Sequence, residues 1–203
     1  MIEDTTLIGR VLRASTRGFA CGTHSTRIGD NHTFGSFVKV PVTNDASTHV
    51  IGLIYSVDIK DDQLISELVM ADSVDSNVLR DQRENRMVPV EISILSIGYM
   101  NGTYNMHSLP PRPPLSLSEV HLCTPDEIFN FTKRQDFFRL VLSASEVPVD
   151  DLLAAALRYA AWQMYHNDSQ AYRDFMIHCG RQLARLLARD LQRLEHILAL
   201  IRP

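Results

Sequence analysis

Apolar and polar residues alternate along most of the first hundred positions, in short stretches separated by glycines. A period of two residues is typical of β-strands that bury one face. The stretches cover residues 6–13, 36–42, 49–59 and 87–100, and glycines at positions 18, 22, 29 and 35 lie between the first two of them. Short strands interrupted in this way are typical of a small curved sheet. The pattern therefore predicts a small closed β-barrel at the N-terminus.

The end of this β zone carries the clearest turn signal in the chain. Asn101-Gly102 follows a run of alternating residues that is long enough for one strongly bent strand. Because Asn-Gly favours tight hairpins, the run predicts a hairpin into residues 103–106. Residues 61–86 lack this alternation and are acidic near their start. They predict a flexible insertion, with a short helix over residues 64–70.

A proline-rich stretch separates the β zone from the rest of the chain. Residues 108–115 include four prolines within five positions, which excludes regular helix and predicts a stiff connector. Residues 119–123 form a strand-like run that returns to the barrel edge. Thr124 and Glu127 then have the spacing of a capping box, with Pro125 at the first helical position. This motif predicts the start of a helix.

The last third of the chain has apolar residues at three- and four-residue steps. The pattern covers residues 151–166 and 170–201, and it predicts two helices packed as a helical hairpin, the second about 30 residues long. A helix of that length would extend past the barrel and offer a surface to a partner. We therefore predict an α+β chain: a barrel over 1–107, a connector over 108–123 and an α-helical domain over 124–203.

Composition limits the classes of function that this chain can serve. The 203 residues carry a formal net charge of −4, so there is no overall positive charge to hold a nucleic-acid backbone. The N-terminal residues contain neither a signal peptide nor a membrane-spanning run, which predicts a cytoplasmic protein without a membrane partner. The three cysteines and eight histidines have no metal-ligand spacing. No metal, cofactor or catalytic residue is predicted.

Three short motifs in the barrel region resemble those of the HAS barrel. They are Ile8-Gly9-Arg10-Val11 in the first strand, Ile28-Gly29-Asp30 before a later strand, and Gly52-Leu53-Ile54 in the next one. The resemblance covers about residues 6–100. The HAS barrel is the N-terminal barrel of HerA-type DNA translocases and of the α and β subunits of rotary ATP synthases. In that family it helps subunits to assemble into rings and docks partner nucleases.

The chain departs from that family in one respect that changes the expected function. HerA-type proteins continue into an ATPase with a phosphate-binding loop, whereas GxxxxGK[ST] occurs nowhere in this sequence. The resemblance therefore implies oligomerisation or docking without ATP hydrolysis. We expect a non-catalytic assembly or adaptor module whose partner is a HerA-like DNA-processing ATPase, its nuclease, or a second copy of the chain in a homo-oligomer.

Four arginines recur every four residues on the last predicted helix, at Arg181, Arg185, Arg189 and Arg193. A stripe of guanidinium groups can bind phosphate or carboxylate groups, which makes it a candidate face for a partner or an anion. The same spacing also fits a solvated helix face, since most runs of charge serve solubility. The sequence leaves both interpretations open.

A second group of arginines gives the barrel a locally basic start and suggests a different function. Arg10, Arg13, Arg17 and Arg27 lie within the first 30 residues. They form the basis of the alternative hypothesis, a protein that binds nucleic acid directly through its N-terminal barrel face. Phe19, Phe34, Phe37 and Tyr55 supply few aromatic rings for stacking against bases.

An enzyme is the third class, and its candidate residues are weak. Cys21 with His24 could imitate a nucleophile and its base, and Asp58, Asp61 and Asp62 could imitate a carboxylate pair. A buried thiol and a solvated acidic loop explain both groups without any chemistry. The sequence therefore predicts a protein that is not an enzyme.

Overall fold

Seven β-strands lie in the part of the chain that the structure describes. The computed structural model describes residues 6–42, 47–59, 88–102, 104–145 and 147–202. The strands are β1 (Leu7–Ala14), β2 (Gly18–His24), β3 (Phe37–Pro41), β4 (Thr48–Ile59), β5 (Pro89–Asn101), β6 (Tyr104–Met106) and β7 (Glu119–Leu122). The short helix predicted over 64–70 and the flexible insertion predicted near 61–86 both lie outside these ranges.

Six of the strands close into a barrel, as the sequence predicts. The order around the barrel is β2-β1-β7-β3-β4-β5, and β5 pairs with β2 to complete the circle. Every pairing is antiparallel. The strand expected over residues 119–123 is present as β7, but it lies between β1 and β3 rather than at an edge. A segment that follows the connector thus completes the barrel wall.

The long strand β5 bends because its register shifts twice against β4, near Gly52 and again near Ile54. Its first half pairs with β2 and its last three residues pair with β6. The predicted Asn101-Gly102 hairpin is confirmed, with Gly102 at a positive φ of 58°. A tight turn needs that conformation, and glycine adopts it without steric cost.

Two apolar cores lie on opposite sides of the barrel wall. The barrel interior is filled by side chains from alternating positions of the strands, among them Ile8, Val38, Ile54, Ile92 and Val120. The outer face of β3, β4 and β5 contributes Phe37, Leu53 and Ile97 to a second core that also contains the helices. The barrel and the helical part are therefore joined by a continuous apolar layer.

Five helices follow the barrel in the described residues. They are α1 (Pro125–Thr132), α2 (Phe138–Leu142), α3 (Val149–Tyr165), α4 (Ser169–Leu186) and α5 (Leu191–Ile201). The predicted capping box of α1 is confirmed: the Glu127 N–H donates to Thr124 Oγ1 (3.3 Å), and the Thr124 N–H donates to Glu127 Oε2 (2.8 Å). The other Glu127 oxygen binds Lys39 Nζ on β3 at 2.5 Å. The same carboxylate thus caps α1 and attaches it to the barrel.

The single helix predicted over 170–201 is wrong, because the chain turns between α4 and α5. Leu187 leaves the helical conformation (φ −104°, ψ 23°), and the side chain of Asp190 accepts from the Arg193 N–H (3.1 Å) to begin α5. The turn brings α5 back against α3 and buries Leu194, Ile197 and Ile201 in the shared core. A straight helix would have left that apolar face in water, so burial favours the turn.

His107, at the start of the connector, provides a test of the packing between barrel and helices. Its Nε2 donates to the Phe131 carbonyl (3.0 Å), and its ring lies 4.5 Å from the Phe131 ring, centroid to centroid. Its Nδ1 is buried without a hydrogen bond among the described residues and lies 3.9 Å from Asp136 Oδ2. Burial lowers the pKa of His107, although the Phe131 bond and Asp136 act in the opposite direction.

Acid is expected to destabilise the fold through this residue. Below the unfolded-state pKa of about 6.5, the unfolded chain binds a proton that the folded imidazole resists, so stability falls as the pH decreases. Urea unfolding at several pH values should show a shallower decline between pH 7 and pH 5 for His107→Gln than for the wild type. Burial also lowers the pKa of His49, so His49→Gln should flatten the curve in part. A His107→Gln curve parallel to that of the wild type would contradict the assignment.

Candidate docking surface

The N-terminal arginines do not form one free basic face. Arg10 Nη2 pairs with Glu119 Oε1 on β7 at 2.5 Å, and Arg13 pairs with Glu91 on β5. The hydrogen bond to Glu91 is the main reason why the pKa of Arg13 is raised. Arg17 in the β1–β2 turn and Arg27 in a 3₁₀ turn are exposed. The barrel wall therefore neutralises half of the charge on which the nucleic-acid hypothesis depends.

The C-terminal arginine stripe is divided by the turn after α4. Arg181 and Arg185 are exposed on α4, Arg189 lies in the turn, and Arg193 belongs to α5. Arg193 Nε donates to Asp150 Oδ1 on α3 at 2.7 Å, which fixes it in a half-buried ion pair. The four residues recur every four positions in the sequence, but a stripe requires one continuous helix. The continuous helix on which the stripe depends is therefore wrong, while the partner- or anion-binding role of the four arginines stays a prediction.

The candidate catalytic residues lack the environment that catalysis requires. Cys21 is fully buried, and burial raises its pKa to about 12, which disfavours the thiolate. His24 Nδ1 forms a hydrogen bond with Thr26 Oγ1 (2.7 Å). Asp58 accepts from Ser56 Oγ (2.8 Å), while Asp61 and Asp62 lie outside the described residues. Within the described ranges, no group of three or more His, Cys, Asp or Glu side chains could hold a metal ion.

The aromatic residues considered for base stacking are mostly unavailable. Phe19 lies in the barrel interior, and Phe37 lies in the core shared with the helices. Phe34 and Tyr55 are only partly buried, but both pack against that shared core. Stacking on single-stranded nucleic acid needs exposed ring faces. These four residues therefore do not offer free ring faces for stacking against bases.

An apolar surface beside β1 was not predicted from the sequence. It consists of Leu12, Leu115 and Leu117, and we call it the Leu117 patch. Leu117 is 69% exposed, Leu12 53% and Leu115 45%. The Leu117 N–H donates to the Val11 carbonyl (2.8 Å), so the segment before β7 lies directly against β1.

Two backbone irregularities occur at leucines of this patch. Leu12 is the extra residue of a β-bulge in β1, where the pairing with β2 shifts between Val11 and Arg13. Leu117 has a φ of +67°, the one positive value at a non-glycine residue among those described. Arg10 Nη1 donates to the Leu117 carbonyl (3.3 Å) and helps to hold that conformation. Bulges and left-handed residues often mark functional positions, since they redirect side chains at a cost in stability.

The sequence contains a faint signal for this patch. Residues 115–118 read Leu-Ser-Leu-Ser, an alternation that would bury its leucines if it formed an ordinary strand. Only the fold shows that the pairing begins after Leu117, at Glu119.

A comparison with protein-family models finds no match, and neither does a comparison with curated proteins. In the ranges that the structure describes, no helix combines the length and the apolar character needed to cross a membrane.

Proposed function

We propose that this chain is a non-catalytic assembly or adaptor module that docks onto another protein. The partner that we propose is a HerA-like DNA-processing ATPase or its nuclease, in the cytoplasm. The observation that carries the docking role is the Leu117 patch. Three exposed leucines lie on β1 and on the adjoining segment before β7, and one of them has a left-handed backbone conformation.

Energetics support docking at this patch. An exposed leucine gains about 1.5–3 kcal/mol when it becomes fully buried, so even partial burial of three of them contributes substantially to affinity. A left-handed leucine costs about 1–2 kcal/mol relative to a relaxed conformation. The Leu117 side chain is mostly in water, so burial of that side chain offsets little of the cost. A partner that covers the patch would supply the compensating burial.

The choice of partner rests on the resemblance to the HAS barrel and on the missing phosphate-binding loop. A barrel of this kind without its own ATPase core fits a subunit or regulator of an ATPase made by another chain. Self-association through the same patch is the competing form of assembly. Direct binding to nucleic acid is less well supported, since Arg10 and Arg13 are both paired with carboxylates.

The test is an affinity pull-down of the tagged full chain from its native lysate, with quantitative mass spectrometry. The key variant is Leu12→Ser combined with Leu117→Gly, since glycine keeps the left-handed conformation while removing the side chain. We expect it to recover at least about tenfold less partner than the wild type, from the loss of two buried leucines. Leu191→Ser, which truncates an equally exposed leucine on α5, is the matched control and should recover as much as the wild type.

The outcomes separate the competing interpretations. Recovery of a HerA-like ATPase or nuclease that depends on the Leu117 patch would support the proposal. Recovery of the chain alone as an oligomer, lost in the double variant, would replace the adaptor role with self-assembly. A monomer that recovers no such partner, or equal losses in the double variant and in Leu191→Ser, would refute docking at this patch.

A further inference from the structure

Helix α4 carries exposed arginines along one of its sides. They are Arg173, Arg181 and Arg185, and we call them the α4 arginine face. Because an α-helix rises about 1.5 Å and turns by about 100° per residue, the three span about 18 Å of its length and about a third of its circumference. Arg189 follows in the turn before α5 and is exposed as well. The break after α4 thus leaves most of the basic surface on a single helix.

The positive charge of this face is not neutralised within the described part of the chain. None of the four exposed arginines forms an ion pair there, in contrast to Arg193. Arg173 Nε donates to the Ser169 carbonyl (3.2 Å), which leaves its other N–H groups for a ligand. Asp174 is the one carboxylate of α4, and its Oδ1 accepts from Gln170 Nε2 (3.0 Å). The helix therefore keeps a net positive charge.

The last two helices are basic although the whole chain is acidic. Over residues 169–203 the side chains include six arginines and three carboxylates, a formal charge of +3, whereas the chain carries −4. Charges further than about 10 Å away are largely screened at 0.1 M salt, so an approaching ion responds mainly to the local excess. The cationic side chains in this range are all arginine, whose planar group can bind a phosphate through two parallel hydrogen bonds.

We propose that the α4 arginine face binds the phosphate backbone of a nucleic acid. Arginines repeated along a helix match a ligand that repeats a negative charge along its own length. A protein partner fits less well, because the centre of a protein interface is apolar and poor in charge. Among the described residues of α4, Ile177 is the one large apolar residue that is exposed on this side, at 51%. This role is separate from that of the barrel arginines and does not rest on docking at the Leu117 patch.

The experiment measures binding of the full chain to a fluorescein-labelled DNA duplex by fluorescence anisotropy. Between about 50 and 200 mM NaCl, the logarithm of the association constant should fall linearly with the logarithm of the salt concentration, with a slope of about −3 for three neutralised phosphates. Arg181→Gln combined with Arg185→Gln should weaken binding at least about tenfold and make the slope shallower by about two. Arg17→Gln combined with Arg27→Gln is the matched control, since it removes the same charge from exposed barrel residues and should bind like the wild type.

Asp174→Asn gives a measurement in the opposite direction. Removal of the negative charge beside the arginines should tighten binding to the duplex several-fold. Unlabelled poly-L-glutamate tests the class of ligand, and it should displace the labelled duplex less effectively than unlabelled duplex does.

Three results would overturn the proposal: no saturable binding at about 50 mM NaCl, where contacts to phosphates are strong, equal losses in the two double variants, or polyglutamate competing as well as DNA. Leu12→Ser combined with Leu117→Gly should bind DNA like the wild type. Failure of docking at the Leu117 patch is thereby distinguishable from failure of nucleic-acid binding at α4.

Discussion

Replacement of Phe37 by alanine will lower the free energy of unfolding by about 3–5 kcal/mol, and it will weaken the barrel and the helices together. Phe37 lies on β3 and is completely buried. Its ring centroid is 6.5 Å from that of Phe131 on α1, 6.3 Å from that of Phe137 and 6.4 Å from that of Tyr159 on α3. One barrel side chain therefore contacts three separate segments of the helical part.

The measurement combines urea unfolding with hydrogen exchange followed by mass spectrometry. Peptides from β3 and β4 and peptides from α3 should lose protection to the same extent, because one core stabilises both. Phe129→Ala on α1 is the matched control: Phe129 is 42% exposed, so its truncation should cost much less. Loss of protection confined to the helices would show that the barrel is stable without them, contrary to the shared core.

Much of the fold could be predicted because its signals are local. Alternation over residues 6–13 and 49–59 needs only a strand with one buried face, and the structure places β1 and β4 there. The Asn101-Gly102 turn and the Thr124–Glu127 capping box depend on residues a few positions apart. Each of these signals lies within a few neighbouring residues, and the structure confirms each of them.

The features that the sequence did not predict depend on contacts between distant residues. Strand β7 lies between β1 and β3. Its pairing with β1 joins residues that are more than a hundred positions apart in the sequence. The turn at residues 187–190 is hidden by periodicity, because α4 and α5 both place apolar residues against the same core. Three- and four-residue steps therefore continue across the break. The arginines keep their four-residue spacing in the sequence although they lie on two helices and the turn between them.

The candidate sites were harder to predict than the fold for the same reason. The Leu117 patch depends on a left-handed residue, which an apolar pattern does not record. A groove beside Arg13 and Arg17 gathers residues from the β1–β2 hairpin, β5 and the segment around the end of α2. Arg13 and Arg17 were predicted to be functional from local charge, but the residues that complete their surroundings come from elsewhere in the chain.

Substitution of Gly35 by alanine is the second change with a large expected effect. Gly35 precedes β3 and has a φ of +88°. A Cβ atom added there would lie 2.8 Å from the backbone of Ala155 and Ala156 on α3. Backbone atoms inside a helix cannot move aside cheaply, so strain and overpacking should together destabilise the fold by about 2–5 kcal/mol. The expected result is a lower urea midpoint with an unchanged slope.

Two other glycines separate the causes of that loss. Gly102→Ala also places alanine at a positive φ, but nothing lies within 4 Å of the new Cβ. The loss of stability in this variant therefore measures the conformational cost by itself, which is about 1–2 kcal/mol. Gly29→Ala has neither problem and should stay within about 0.5 kcal/mol of the wild type. The excess loss in Gly35→Ala over Gly102→Ala measures how closely the barrel approaches α3. If the two variants lose the same stability, that approach contributes nothing to the free energy of unfolding.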